Sequence, residues 1–402
     1  MPNNKNIAGS MVVMARKKAP SGNIALMGFT SLINDASSEM ITPILPILLT
    51  SMGANGFVIG LLGGVRESIS SLLSIYFGRL SDLTGKRKPY VISGYMLSGV
   101  FKVALFIAAV FGSWLSAFSA ASMERMGKAM RNAPRDALIS ESLDRKRLGR
   151  GFGLHRMMDS MGAILGSVLA LALIYYMGMD FGAVVLVAAG LAFFSVVPLL
   201  FVKEMNISKC IGNGGKPGDG RLDKLVMILS LFALGNISYM FLIIRAQEFF
   251  PPDLSVIGPI GLYVLFNVFY TVLAIPFGKV ADDMGKKKTL NLGYLMMFMT
   301  MAGFMFANSS LAFVLLFMLY GASYAIIETQ QAAVVSEMAS GGSKGAAIGK
   351  YYTGVGLGKL AGSTLAGIIW MAGPFYTFAY ASLMTISGAV MLSRFNHSAK
   401  GA

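Results

Sequence analysis

The sequence predicts an all-α membrane protein of about twelve transmembrane helices, arranged as two parallel six-helix repeats. Three observations lead there. Of 402 residues, 55% are hydrophobic and 13% charged, whereas soluble chains carry roughly a quarter charged residues. Apolar runs of the roughly 20 residues needed to cross a bilayer recur along the chain. The second half also repeats motifs of the first at a spacing of about 200 residues.

The runs read as helices over 24–51, 55–80, 90–112, 114–136, 150–177, 180–202, 224–250, 256–280, 289–307, 311–337, 345–371 and 374–393. Glycine and proline inside them do not break the pattern, because bundled membrane helices tolerate both. Pro43 and Pro46 are expected to kink the first helix. The chain then divides into a tail (1–23), a bundle (24–202), a linker (203–223), a second bundle (224–393) and a second tail (394–402). Gly212, Gly214, Gly215, Gly218 and Gly220 make the linker flexible in expectation.

Basic residues set the orientation. Arg16, Lys17 and Lys18 precede the first span, Lys86, Arg87 and Lys88 follow the second, and a cluster from Lys128 to Arg150 follows the fourth. Lys203, Lys216 and Arg221 follow the sixth, and Lys286, Lys287 and Lys288 the eighth. All fall on one side of a twelve-span chain, while loops 51–55, 249–256 and 307–310 on the other side hold no Lys or Arg. Such asymmetry places both termini and the linker in the cytoplasm. The formal charge of +15 is therefore dispersed over loops, which argues for a lipid bilayer as partner and against nucleic acid. The one cysteine, Cys210, allows no internal disulfide, and His155 and His397 are too few for a multi-histidine cage. With no phosphate-binding loop, nucleophile elbow, His-Glu-x-x-His pair or dinucleotide fingerprint, neither an enzyme nor a bound cofactor is expected.

The repeat is specific. Gly78-Arg-Leu-Ser-Asp82-Leu-Thr-Gly85-Lys86-Arg87-Lys88 returns as Gly278-Lys-Val-Ala-Asp282-Asp-Met-Gly285-Lys286-Lys287-Lys288. Gly94-Tyr95 returns as Gly293-Tyr294, and Asp136–Glu141 returns as Ala332–Glu337. Asn34 is matched with Asn236. Parallel repeats of this kind are one of the known transporter plans.

The doubled Gly-x-x-x-Asp-x-x-Gly-basic-basic loop resembles the hallmark of the major facilitator superfamily, over essentially the whole chain. Asn34-Asp35-x-x-Ser38-Glu39-Met40 and Gly127-Lys128-x-x-Arg131-x-Ala133-Pro134-Arg135-Asp136 are similar to a prokaryotic branch of it. The resemblance implies a fold of two bundles around a central cavity, in a prokaryotic cytoplasmic membrane, with a monomer expected. It also implies an inner gate that includes Asp82. Where an acid often follows the seventh-span Asn-x-Ser in that branch, this chain has Tyr239, so any role of that acid does not carry over.

A charge at the bilayer centre costs roughly 3 kcal/mol on insertion scales and so usually faces a cavity or a partner. Asp35, Glu39, Glu67, Glu124 and Asp159 lie deep in first-half spans, against Glu328 in the second half. Ser31, Asp35 and Glu39 share one helix face, with Asn34 beside them, and His155 and Asp159 share another. Carboxylates with an imidazole suit a divalent transition metal, so Asp35, Glu39, His155 and Asp159 are candidate ligands to a metal cation carried as substrate. Proton relay and structural ion pairing, with Arg66 and Arg156 as counterions, are the open alternatives. Glu124, Lys128, Arg131 and Arg135 form a stripe along the fourth span. With Gly78, Asp82, Gly85, Lys86, Arg87, Asp136 and Asp282, Arg131 and Arg135 are candidates for a charge-paired gate, a solvated stripe and an anion-steering site being the alternatives. Arg66, Glu67, Glu124, Asn236, Tyr239, Asn267 and Glu328 are candidate cavity residues.

These features predict a secondary active transporter working by alternating access on a small solute. The leading substrate is a divalent cation of iron, manganese or zinc type, with protons as a coupling ion. The alternative is proton-coupled efflux of a small organic molecule or drug. A non-transporting sensor is disfavoured, because no soluble output domain is present in the loops or tails. The orientation is directly testable. In right-side-out vesicles Cys210 should resist a membrane-impermeant thiol reagent and react only after permeabilisation; labelling in sealed vesicles overturns the orientation.

Overall fold

The computed structural model describes residues 22–142, 148–204, 220–338 and 344–395. These residues form helices and connecting turns, with no strand among them. The first half comprises α1 (Gly22–Ile41), α2 (Leu45–Ser51), α3 (Gly56–Thr84), α4 (Lys88–Val110), α5 (Trp114–Glu141), α6 (Leu148–Met177), α7 (Phe181–Phe194) and α8 (Val197–Leu200). The second half comprises α9 (Gly220–Gly235), α10 (Tyr239–Gln247), α11 (Ile257–Met284), α12 (Lys286–Phe306), α13 (Ser310–Met338), α14 (Lys344–Trp370) and α15 (Pro374–Arg394).

Three expected spans are split. The first breaks at 42–44, beside Pro43, into α1 and α2. The sixth breaks before Pro198, and the seventh at Asn236–Ser238. Taking each broken pair together, twelve passes result. The tail and linker residues 1–21, 205–219 and 396–402, with Cys210 and His397, lie outside the described residues.

Among the described residues nine passes are long and apolar enough to cross a membrane on their own composition; the first, the fourth (α5) and the eleventh (α14) are not among them. The reason is local. The first is broken and carries Asn34, Asp35 and Glu39; α5 carries Glu124, Arg125, Lys128, Arg131 and Arg135; α14 carries Lys359. Helices of this kind are tolerated in a bilayer when their polar face is turned to protein.

Helix ends are set by short side chains. Asn55 accepts from the Val58 N–H (3.1 Å) at the start of α3, and Asp180 from the Ala183 N–H (2.7 Å) at the start of α7. Gly85 ends α3 in the left-handed region (φ 68°), donating to Ser81 O, a conformation that a side chain disfavours. The repeated basic loop has a further role. Lys88 Nζ donates to the carbonyls of Leu200 and Val202 (2.9 and 2.8 Å), where the sixth pass ends. Lys287 Nζ does the same for Ser393 and Phe395, where the twelfth ends. A cation at a helix C-terminus satisfies leftover carbonyls and complements the dipole.

Glycines bring backbones together within each half. A side chain on Gly162 or Gly166 would strike the backbone of Leu32 or Ala36, binding α6 to α1. Gly358 and Gly362 stand in the same relation to Ser230 and Leu234, binding α14 to α9. These paired contacts also correct a sequence match. They place Asn34 opposite Phe232, and Asn236 opposite Ser38, so Asn34 and Asn236 are not equivalent. Gly94 and Gly127 make the equally close α4–α5 contact.

Between the halves, α3 packs on α14 and α6 on α11. These are the second and fifth passes of each half, so the two interfaces are exchanged by the pseudo-two-fold of the repeat. In the α3–α14 interface Gly56 meets Trp370, Gly60 meets Ser363 and Gly367, and Gly64 meets Leu360. All these contacts lie toward the face away from the basic loops.

The glycine seams give a stability prediction. Gly166→Leu must force α6 away from α1, at a cost of about 3 kcal/mol or more, the upper range for overpacking. Gly190→Leu, at a position with open space around it, should be near neutral. Thermal unfolding in detergent with a size-exclusion check measures both; equal behaviour contradicts the packing.

Candidate functional site

The buried charges gather between α3, α4 and α5. Glu124 on α5 accepts from Ser98 Oγ (2.8 Å) and lies 3.7 Å from Arg66 Nη1 and 3.6 Å from Arg125 Nε. Arg66 also donates to Ala121 O (3.0 Å). On α4, Lys102 is 1% exposed and donates to Ser37 and Ser38 Oγ on α1 (2.7 and 3.0 Å). Arg131, likewise 1% exposed, lies 4.5 Å over the Tyr95 ring, a cation–π contact that compensates part of its desolvation. Arg135 pairs with Asp136 (3.1 Å) and donates to Ser31 Oγ (3.1 Å).

The four candidate metal ligands separate into different relations. His155 Nδ1 lies 3.4 Å from Asp159 Oδ2, as the i, i+4 spacing implies. Glu39 accepts instead from Tyr263 OH (2.7 Å) in the second half. Asp35 feels Asp159, but also Lys128, Arg131 and Arg135, and Glu39 feels Arg125 and Lys128. Among the described residues no three His, Cys, Asp or Glu side chains converge as metal ligands. The expected site of Asp35, Glu39, His155 and Asp159 is therefore not assembled. Basic side chains of α5 act on its acids, and these oppose the attraction of a dication. Asn34 is buried with both amide atoms unpartnered, as is His155 Nε2.

The gate candidates are also distributed differently from a single row. Asp82 pairs with Arg87 of its own loop (2.5 Å), and Arg87 donates to Ser81 Oγ (2.6 Å). Arg131 and Arg135 are occupied by Tyr95 and by Asp136 and Ser31, so Asp82 does not reach the stripe. Gly78 packs near Ala133; Lys86 and Asp282 are exposed at the loop ends of α3 and α11.

A cavity of about 630 Å³, part of it open to solvent, lies between the halves. Its walls include Arg66, Glu67, Arg125 and Lys128 from the first half, and Glu328, Tyr351, Tyr352 and Lys359 from the second. At its closed end Lys359 Nζ bridges Glu67 (3.2 Å) and Glu328 (3.8 Å), and Ser68 Oγ donates to Gly356 O (2.6 Å). A second hollow of about 800 Å³ shares Ser70, Ser71 and Tyr352 with it and continues past Asn132, Asp136 and Ile348 toward the basic-loop face. Further polar links cross the halves on α6–α11: Asn267 Nδ2 to Ser167 Oγ (3.2 Å) and Arg156 Nη2 to Tyr270 OH (2.8 Å). Asn236, with Oδ1 unpartnered, and Tyr239, with its hydroxyl unpartnered, flank the break between α9 and α10.

The acids, His155, Arg66, Arg156 and the basic stripe of the fourth span are the intramembrane charges singled out from the sequence. Lys102, Arg125 and Lys359 are not among them, although each stands inside a predicted span. An intramembrane lysine or arginine carries the same signal as an intramembrane carboxylate.

The sequence profile of the Major Facilitator Superfamily matches residues 27–244 and 224–400. An uncharacterized MFS-type transporter of Methanocaldococcus jannaschii is 44% identical over 381 residues, 92% of this chain and 94% of that protein. The multidrug resistance protein MdtH of Aeromonas hydrophila is 25% identical over 312 residues, 76% of each chain. Among solved structures, the POT family transporter PepTSo superposes with a TM-score of 0.76 at 12% identity, covering 94% of this chain and 99% of that one.

The charge hub gives a prediction. Glu124→Gln leaves Arg66 and Arg125 without their shared carboxylate. Loss of one partner of a buried pair costs about 3 kcal/mol or more. Ser98→Ala, which removes one hydrogen bond to the same charged carboxylate, should cost about 1.5–2 kcal/mol, less than loss of the carboxylate itself. Unfolding in detergent ranks the two, and equal losses would show that Glu124 is not the counterion.

Proposed function

The chain belongs to the major facilitator superfamily, and is a multi-pass membrane transporter; we propose that it moves a small organic solute across a prokaryotic cytoplasmic membrane by alternating access. One observation carries the proposal. The cavity between the halves is sealed on one side by glycine-mediated α3–α14 packing and the Glu67–Lys359 pair, and runs on the other side toward the basic loops. The relative named for multidrug resistance favours an organic solute. In this reading the basic-loop face is cytoplasmic and the cavity is open inward. Asp35, Glu39 and the His155–Asp159 pair serve as proton-accepting groups, coupling transport to the proton gradient.

Alternating access requires the sealed end to open. Ser51 and Met371 are exposed near the outer ends of α2 and α14, one in each half. Spin labels at these two positions, in a Cys210→Ser background, should report two distance populations in lipid nanodiscs, with the longer one changing between pH 5 and pH 8. One short, pH-independent distance would reject rocking of the halves.

A further inference from the structure

The charges that line the cavity are unequally satisfied. The two carboxylates, Glu67 and Glu328, share Lys359. The cations of the first half are not matched in the same way. Lys128 has no hydrogen bond or ion pair among the described residues. Arg125 is 8% exposed, and its contact is the 3.6 Å approach of Nε to Glu124, a carboxylate that Arg66 also uses. The Nε atoms of both Arg66 and Arg125 are buried without a hydrogen-bond acceptor. Asp35 and Asp159 stand on α1 and α6, outside the lining of this cavity. Among the described lining residues four cations, Arg66, Arg125, Lys128 and Lys359, stand against two carboxylates, Glu67 and Glu328, so the lining itself is positive, with Asp35 and Glu39 acting on α5 only from behind it.

The second half adds a different chemistry. Tyr351 and Tyr352 of α14 line the cavity, their rings 4.9 Å apart. Behind them Lys359 lies 6.0 Å from the Tyr324 ring, which packs at 5.2 Å against Tyr320. Cations of the first half and tyrosines of the second thus line one cavity between the halves.

We infer that this cavity is an organic-anion site, in which Arg125 and Lys128, backed by Arg66, bind the carboxylate, sulfonate or phosphate of a solute whose ring packs against Tyr351 and Tyr352. Guanidinium and ammonium donors held in a water-poor cavity select an anion because leaving them unpaired is costly. The phenolic faces select a planar apolar body. The inference deepens the transporter reading and rests on it. It assigns a charge to the solute, and so departs from the cation expected from the acids of α1 and α6.

The test uses full-length Ser71→Cys in a Cys210→Ser background, since Ser71 lines both hollows. The rate of maleimide labelling in lipid-free detergent reports occupancy. Naphthalene-1-sulfonate and benzoate should slow labelling saturably, while 1-naphthylmethylammonium, with the same ring and opposite charge, should not. Adding Lys128→Gln should raise the half-protecting concentration about tenfold or more, the loss expected for a hydrogen bond to a charged group. Arg125→Gln should do the same and Arg125→Lys less. Lys224→Gln, an exposed cation on α9, should change nothing. Lys128 makes no hydrogen bond or close ion pair among the described residues, so its variant should keep the fold even if Arg125→Gln does not. Equal protection by the ammonium compound, no protection by either anion, or an unchanged concentration in Lys128→Gln overturns the inference. Protection by dihexanoyl phosphatidylglycerol without protection by the aromatic anions overturns it in favour of a lipid headgroup. Movement of the 51–371 distance is read separately, so failure of the anion site is distinguishable from failure of alternating access.

Discussion

Glu124 is the point on which the first half depends. A membrane bundle has no water to solvate a guanidinium, so each buried cation needs a carboxylate, a carbonyl or a ring. Glu124 draws Arg66 from α3, Arg125 from its own helix and Ser98 from α4 toward one position. The Gly94–Gly127 contact allows this convergence, because α4 and α5 meet backbone to backbone beside it. With those three helices fixed, Lys102 reaches the serines of α1, and Arg131 reaches the face of Tyr95. Charge and small residues act together here. Without the glycines α4 could not come close enough for Ser98 to reach the carboxylate that the two arginines share.

The two kinds of interface differ in how readily they can change. Inside each half, glycines set against carbonyls give contacts with a single good geometry. Across the halves, α6–α11 is held by discrete polar links: Asn267 to Ser167, Arg156 to Tyr270. Glu39 to Tyr263 adds a link from α1. Such groups can exchange one partner for another or for water, whereas a glycine seam must be broken outright. A rocking motion can rearrange the α6–α11 links, but it must also break the glycine seam of α3–α14, where Gly60 and Gly64 meet the backbone of the second half.

The fold was legible because its signals are long and redundant. Twelve apolar runs, one-sided basic loops and a duplicated Gly-Asp-Gly loop each point to the same plan. The break at Pro43 was legible for the same reason, since proline removes a helix hydrogen bond. The break at Asn236–Ser238 was not, because no proline or glycine pair marks it. The site was less legible. Asp35, Glu39 and His155 look like a ligand set when only one helix at a time is considered. Whether they converge depends on rotation between helices, and one-dimensional spacing does not contain it. Tyr263, 224 residues away from Glu39, takes that carboxylate, and the bases of α5 surround the rest.

The repeat itself explains the character of the cavity. Aligning Asp136–Glu141 with Ala332–Glu337 places Glu124, Lys128, Arg131 and Arg135 of α5 opposite Tyr320, Tyr324, Ile327 and Gln331 of α13. The same contact position is kept: Gly94 packs on Arg131, and Gly293 packs on Ile327. Equivalent helices thus present charge in one half and phenol or hydrocarbon in the other. The scaffold is symmetric where backbones meet, because the rocking of two halves needs matched interfaces on both pairs of helices. Of these eight positions Lys128 and Gln331 line the cavity, an ammonium in the first half and an amide in the second, so the symmetry kept at the backbone contacts is not kept in the charge of the lining.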